Sequence, residues 1–137
     1  MSPRRAAAAV ASVLAVLATA GCADEGPREV LVEDGRAEVS VGDEVLFRVS
    51  STPGMGDTYE LRGPEDDAVL RYLGTEIEPS GDAPGSSQAE TYRFEAIAPG
   101  DAEIVLFNCY RGCDEDGRPT EEPPGGAMRT ATVTVTD

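Results

Sequence analysis

Two residue types that carry much of enzyme chemistry are absent from this sequence. It has no histidine, and all eleven of its basic residues are arginines, so it has no lysine. Histidine is the commonest general base and zinc ligand, and lysine forms Schiff bases with carbonyl substrates. Glycine-rich phosphate loops of the Walker or dinucleotide type are absent as well. The sequence therefore predicts a protein that is not an enzyme and has no cofactor.

Long apolar runs are also missing, except for one at the N-terminus. Arg4 and Arg5 precede an uncharged run over residues 6–20. A membrane-spanning helix needs about 20 residues, so this run is too short to cross a bilayer. A basic start followed by a short apolar run and small residues is the layout of an export signal. We therefore expect residues 1–21 to be a signal peptide that is cleaved from an exported protein.

The segment Thr19-Ala20-Gly21-Cys22 resembles the lipobox of bacterial lipoproteins, in which cleavage before the cysteine follows lipidation of its sulfur. Thr19 departs from that pattern, which usually has an apolar residue there. The resemblance implies a lipid on Cys22 that holds the protein at the outer face of the cell membrane, with residues 22–28 as lipidated cysteine and short tether. The alternative is ordinary cleavage after Ala20, which would leave the protein secreted.

Positive charge is scarce. Removal of residues 1–21 takes away two arginines and no acid, so the formal net charge falls from −15 to −17. Such a negative field repels the phosphates of nucleic acids and favours basic partners or cations. We expect no binding of DNA or RNA. A second interpretation is that the acidic residues only keep an exported protein soluble.

The rest of the chain alternates apolar and polar residues with a period of two, which is typical of half-buried strands. Residues 104–107 are apolar on both faces, as in a central strand, and turn signals such as Asp34-Gly35 and Pro99-Gly100 separate the segments. We predict an all-β, immunoglobulin-like antiparallel β-sandwich of seven or eight strands over residues 29–137, and a monomer. The alternating positions are Val30 and Val32; Val39 and Val41; Val45, Phe47 and Val49; Tyr92, Phe94 and Ala96; Ala131, Val133 and Val135.

Three connections are too long or too rich in turn residues to be simple hairpins: residues 51–57, 80–88 and 111–126. In immunoglobulin lettering they are the B-C, D-E and F-G connections, which lie at the same end of a sandwich. Irregular segments gathered at one end of a rigid scaffold often form a binding site.

The first of these connections is similar to a loop of the chagasin family of cysteine protease inhibitors. Residues 52–59, Thr-Pro-Gly-Met-Gly-Asp-Thr-Tyr, align without a gap on the family's Asn-Pro-Thr-Thr-Gly-Tyr-Ser-Trp, and Pro53, Gly56 and Tyr59 fall on its Pro, Gly and Trp. Residues 82–85 look like the Gly-rich second loop, and Arg111 falls where the third loop carries Arg-Pro-Trp. The resemblance covers residues 37–136.

This resemblance implies that the three loops block the cleft of a papain-type cysteine protease. The sequence departs from the family at Thr52, at Gly54-Met55 and at Gly112-Cys113, so the third loop is expected to lack its aromatic contact. The alternative is an extracellular structural or protein-binding domain of the same fold without inhibitory activity. The residues that the resemblance assigns to the inhibitory loops are Thr52, Pro53, Gly54, Met55, Gly56, Asp57, Tyr59, Ala83, Pro84, Gly85 and Arg111.

Cys109 and Cys113 are the two cysteines left if Cys22 carries a lipid. Because exported proteins meet an oxidising environment, a structural disulfide between them is the first interpretation. Free thiols are the alternative, and a redox role is weaker because the spacing is not Cys-x-x-Cys.

The acidic stretch over residues 114–117, together with Glu121 and Glu122, could offer oxygen ligands to calcium. It lacks the spacing of an EF-hand loop. We therefore expect a solvated acidic loop and no metal site.

Cys22 carries the first testable prediction. If the near-lipobox is used, metabolic labelling with a clickable fatty acid will mark the wild type and not the Cys22→Ser variant, which will appear in the medium. Equal labelling of the two proteins would rule out a lipid on this cysteine.

Overall fold

Two four-stranded β-sheets make up the computed structural model, which describes residues 26–64, 68–120 and 127–137. The predicted signal peptide and Cys22 lie outside the described residues. No helix within those residues is long and apolar enough to cross a membrane. The strands are β1 (Glu29–Leu31), β2 (Arg36–Ser40), β3 (Glu44–Ser51), β4 (Glu60–Gly63), β5 (Leu70–Pro79), β6 (Gln88–Ala96), β7 (Gly100–Phe107) and β8 (Met128–Thr136).

The sheet topology is that of a two-layer sandwich, as predicted. The first sheet has the order β1-β3-β6-β5, and the second has the order β2-β8-β7-β4. The expectation of antiparallel pairing alone is wrong at two edges, because β1 runs parallel to β3 and β2 runs parallel to β8. The tight turn at Asp34 and Gly35, both with positive φ, sends the chain from one sheet to the other. β1 and β2 therefore join different sheets instead of forming a hairpin.

The core lies between the sheets and follows the period of two. Val45, Phe47 and Val49 of β3 are at most 5% exposed, and they face the inward residues of the second sheet. Residues 104–107 lie on β7, which is a central strand, as predicted. Val41 is a wrong assignment: β2 ends at Ser40 and the Val41 side chain is 43% exposed. The side chains with the least exposure include Phe94, Leu70, Ile104, Leu106, Val45 and Val133.

The strand register brings three connections to one end of the sandwich. Ser51 at the end of β3 and Pro79 at the end of β5 both pair with Gln88, the first residue of β6. Phe107 at the end of β7 pairs with Met128 and with Glu60, the first residues of β8 and β4. We name these connections the first loop (52–59), the second loop (80–87) and the third loop (108–127). Together they form the loop end.

Candidate functional site

The first loop is a closed turn. Thr52 and Asp57 exchange backbone hydrogen bonds of 2.8 and 3.2 Å at its base, and residues 53–55 form one turn of 3₁₀-helix. Pro53 at the start of this turn has the φ that such a turn requires. Gly56 ends it with φ +79°, in the left-handed region that a side chain disfavours. Proline and glycine therefore fix the backbone of the tip before any partner is met.

The Asp57 carboxylate joins the first loop to the third. Its Oδ2 accepts a hydrogen bond from the Arg111 guanidinium at 2.9 Å, and its Oδ1 accepts one from the Asn108 side-chain amide. Asp57 is only 7% exposed and Asn108 is fully buried. The bond from Arg111 is the main cause that lowers the pKa of Asp57, and Asn108 adds to it, while burial acts in the opposite direction. The pair raises the pKa of Arg111 in turn.

The third loop packs on the end of β7 through a small apolar contact. Gly112 is buried, and a Cβ at this position would lie 2.9 Å from both the Ala127 Cβ and the Phe107 ring. A side chain larger than hydrogen would therefore push the loop off its support. The loop begins with the short helix α1 (Cys109–Gly112), so Cys109 starts a helical turn instead of ending β7.

Cys109 and Cys113 are placed as a disulfide, as the first interpretation had it. Their Cα atoms are 4.8 Å apart, and the Cys113 N–H donates to the Cys109 carbonyl at 2.8 Å. A ring over so few residues removes little chain entropy from the unfolded state. Its effect is local, because it closes the turn that carries Tyr110 and Arg111.

The second loop lies against the first. A Cβ on Gly54 would be 3.5 Å from the backbone nitrogen of Gly85, which is an ordinary contact distance. The two loops therefore touch at Gly54 and Gly85, and a Cβ on Gly54 would fit there without a clash. The turn is closed by a hydrogen bond of 3.1 Å from the Ser86 N–H to the Ala83 carbonyl, and residues 83–85 are exposed.

The residues that the sequence assigned to the inhibitory loops divide into two groups. Exposed residues form the tip, whereas Thr52, Asp57 and Tyr59 lie at its base. Tyr59 packs against the core, and its carbonyl accepts a hydrogen bond of 3.0 Å from the Tyr92 hydroxyl. These three residues therefore support the loops. The exposed group is Pro53, Gly54, Met55, Gly56, Ala83, Pro84, Gly85 and Arg111.

Tyr110 is a surface residue that the sequence argument missed. Its side chain is 57% exposed, and a Cβ on Gly56 would lie 3.8 Å from its ring. The third loop therefore carries an exposed aromatic side chain, although Cys113 stands where the family has Trp. The aromatic residue precedes Arg111 instead of following it, and the turn of α1 brings it to the tip. Its position between the two cysteines was the available signal.

The acidic stretch of the third loop forms no metal site in the part of the chain that the structure describes. No group of three or more acidic or cysteine side chains there could hold an ion. The Asp114 carboxylate accepts the backbone N–H groups of Asp116 and Arg118 at 3.0 and 2.9 Å. It closes a turn of its own loop. Glu121 and Glu122 lie outside the described residues.

Solved structures with the same architecture include the cysteine protease inhibitor EhICP2 from Entamoeba histolytica. It aligns with a TM-score of 0.58 and 14% identity over 81% of this chain and 96% of the inhibitor. The chain has the fold of this inhibitor. Amebosin aligns with a TM-score of 0.50 and 18% identity over 81% of this chain and 98% of its own. No protein-family model and no curated protein sequence matches the chain.

Likeness at this level of identity establishes the fold and leaves the activity to be argued from the loops themselves. EhICP2 is a cysteine protease inhibitor. For the present chain, the non-enzymatic role remains a prediction from the absence of histidine and lysine.

The Asp57 contact predicts a pH-dependent stability. Because the folded-state pKa of Asp57 is lowered from 3.8, its contribution is present above that value and is lost as the pH falls through the lowered pKa. Asp57→Asn will lower the free energy of unfolding at pH 7 by about 1 to 3 kcal/mol. Urea titrations of the two proteins at pH 7 and near pH 3 test this, and the difference must shrink at the lower pH. Asp82→Asn, on the exposed second loop, is the control and will change little.

The disulfide predicts a simple mass difference. The intact oxidised protein will weigh about two daltons less than the reduced form, and Cys109 and Cys113 will not react with iodoacetamide before reduction. Alkylation of both cysteines without a reductant would identify them as free thiols.

Proposed function

We propose that this protein is an exported, lipid-anchored inhibitor of papain-type cysteine proteases that acts through its loop end. The observation that carries the proposal is the closed first loop, which protrudes beside the second loop and is tied to the third by Asp57 and Arg111. Its fold is that of EhICP2, and the loop similarity to the chagasin family includes Pro53 and Gly56 of the exposed tip and Tyr59 at its base.

The first loop is suited to occupy a protease cleft without being cut. A protease binds its substrate as an extended strand, whereas residues 53–55 are held in a helical turn by hydrogen bonds of 3.0 and 2.9 Å. Both bonds would have to break before a peptide bond of the tip could enter the active site in productive geometry. A loop that is already rigid also loses little conformational entropy on binding.

Exposed side chains beside the first loop are available for contact with a partner. Arg111 is 45% exposed even though it pairs with Asp57, so one side of its guanidinium remains available to a partner. Met55 is 59% exposed at the edge of the first loop. The second loop, at residues 83–85, extends the same surface on the other side. Met55 would enter the cleft with the first loop, and Arg111 and the second loop would flank it.

The proposal predicts a graded loss of inhibition in two first-loop variants. Gly56→Val should weaken inhibition of a papain-type protease strongly, because valine disfavours the left-handed conformation at φ +79°. Met55→Ala should weaken it less, by about 1 to 2 kcal/mol, as a lost interface contact. Inhibition constants for the protein and both variants against several proteases of this class test the order.

Two controls are needed to interpret these inhibition constants. Both variants must be folded at the assay temperature, because the changes lie in an exposed loop and not in the core. Met55→Ala should keep the thermal unfolding midpoint of the wild type to within a few degrees, whereas Gly56→Val should lower it, because a β-branched residue is strained at φ +79°. If the folded wild type leaves every protease of the panel fully active at micromolar excess, the inhibitor proposal fails. The extracellular domain without inhibitory activity would then be the better account of the fold.

A further inference from the structure

Two large apolar side chains stand exposed together at the tip of the loop end. Met55 and Tyr110 are 59% and 57% exposed, the highest values among the large hydrophobic residues that the structure describes. Gly56 lies between them, beside the Tyr110 ring. Both side chains are carried on closed turns, one ended by Gly56 and the other closed by the disulfide. Exposed aromatic and methionine side chains on a rigid base are typical of the centre of an interface.

The charges around this apolar tip are left unbalanced. Arg111 and Arg118 are the basic residues of the three loops, and they pair with Asp57 at 2.9 Å and with Asp116 at 3.7 Å. Asp82 and Glu115 are exposed, and neither has a basic partner among the described residues. The charge that remains to face a partner is negative.

We infer that the loop end fits a protein cleft that is apolar inside and rimmed by basic side chains. The inference rests on the proposed function for the class of partner, and it adds the chemistry of the surface that the inhibitor selects. The apolar tip would enter the cleft, where Met55 and Tyr110 lose their contact with water. Asp82 and Glu115 would face the rim, where opposite charge attracts during the approach and like charge repels.

The experiment uses two papain-type proteases, one with a basic and one with an acidic surface around its cleft. Association and dissociation rates with the protein are measured at low and high salt. We expect faster association with the basic-rimmed protease, which slows by about tenfold at high salt because the charges are screened. The double variant Asp82→Asn and Glu115→Gln should lose most of this advantage.

A matched control removes the same charge elsewhere. Glu38→Gln with Glu103→Gln alters two exposed acids on the outer face of the second sheet, away from the tip, and should keep the preference for the basic rim. Tyr110→Ala should speed dissociation from both proteases by about tenfold or more, and Tyr110→Phe should restore slow dissociation. Leu31→Ala, which truncates an exposed residue of β1, should have no effect.

The experiment distinguishes failure of the basic-rim inference from failure of the inhibitor proposal. If both proteases are inhibited at equal rates without dependence on salt, the inhibitor stands and the basic rim is overturned. If the two double variants lose the preference equally, the charge of the whole domain is responsible, and the inference for the loop end fails. If neither protease binds, the proposed function and this inference fall together.

Discussion

The contact between Asp57, Asn108 and Arg111 is the interaction on which the loop end depends. Two loops that leave different strands meet at one carboxylate, and that carboxylate is almost completely enclosed. A buried charge is tolerated only when it is paired and hydrogen-bonded. Loss of either donor would leave the Asp57 carboxylate without a partner and would destabilise the folded protein. The same bonds fix Arg111, which stands next to Tyr110 on the turn of α1. One ion pair therefore joins the first loop to the part of the third loop that presents Tyr110.

The sandwich contributes a rigid base for this arrangement. β3 and β7 carry buried residues along their length and deliver Ser51 and Phe107 to the same end. Below the third loop, Phe107 continues the apolar character of β7 beyond the main core and packs against Gly112 and Ala127. Because this contact leaves no space for a side chain at Gly112, it fixes the position of the loop on the sheet. Close packing of this kind transmits the order of the core to the binding surface.

The sequence predicts the strands well because alternation is a local property. Phe47 and Phe94 could be assigned to the core from their neighbours alone, and Pro53 and Gly56 to a turn. The assignment of Val41 to a strand was wrong because alternation does not show where a strand stops. The parallel edge strands were not predicted because they depend on the turn at Asp34, which sends the chain from one sheet to the other. The partners of Asp57 lie more than fifty residues away in the chain. No local pattern encodes such a pair, and none shows that Tyr110 would be exposed.

The register of β1 would have a consequence for a protein anchored through Cys22. Glu29 pairs with Glu44 at the start of β3, whereas the first loop leaves from Ser51 at the other end of that strand. A strand of that length spans about 25 Å. If Cys22 carries a lipid, the short segment before Glu29 would attach the domain at the end of the sandwich opposite the loop end. The loop end would then face the medium. Such a geometry would suit the capture of a protease that arrives from solution.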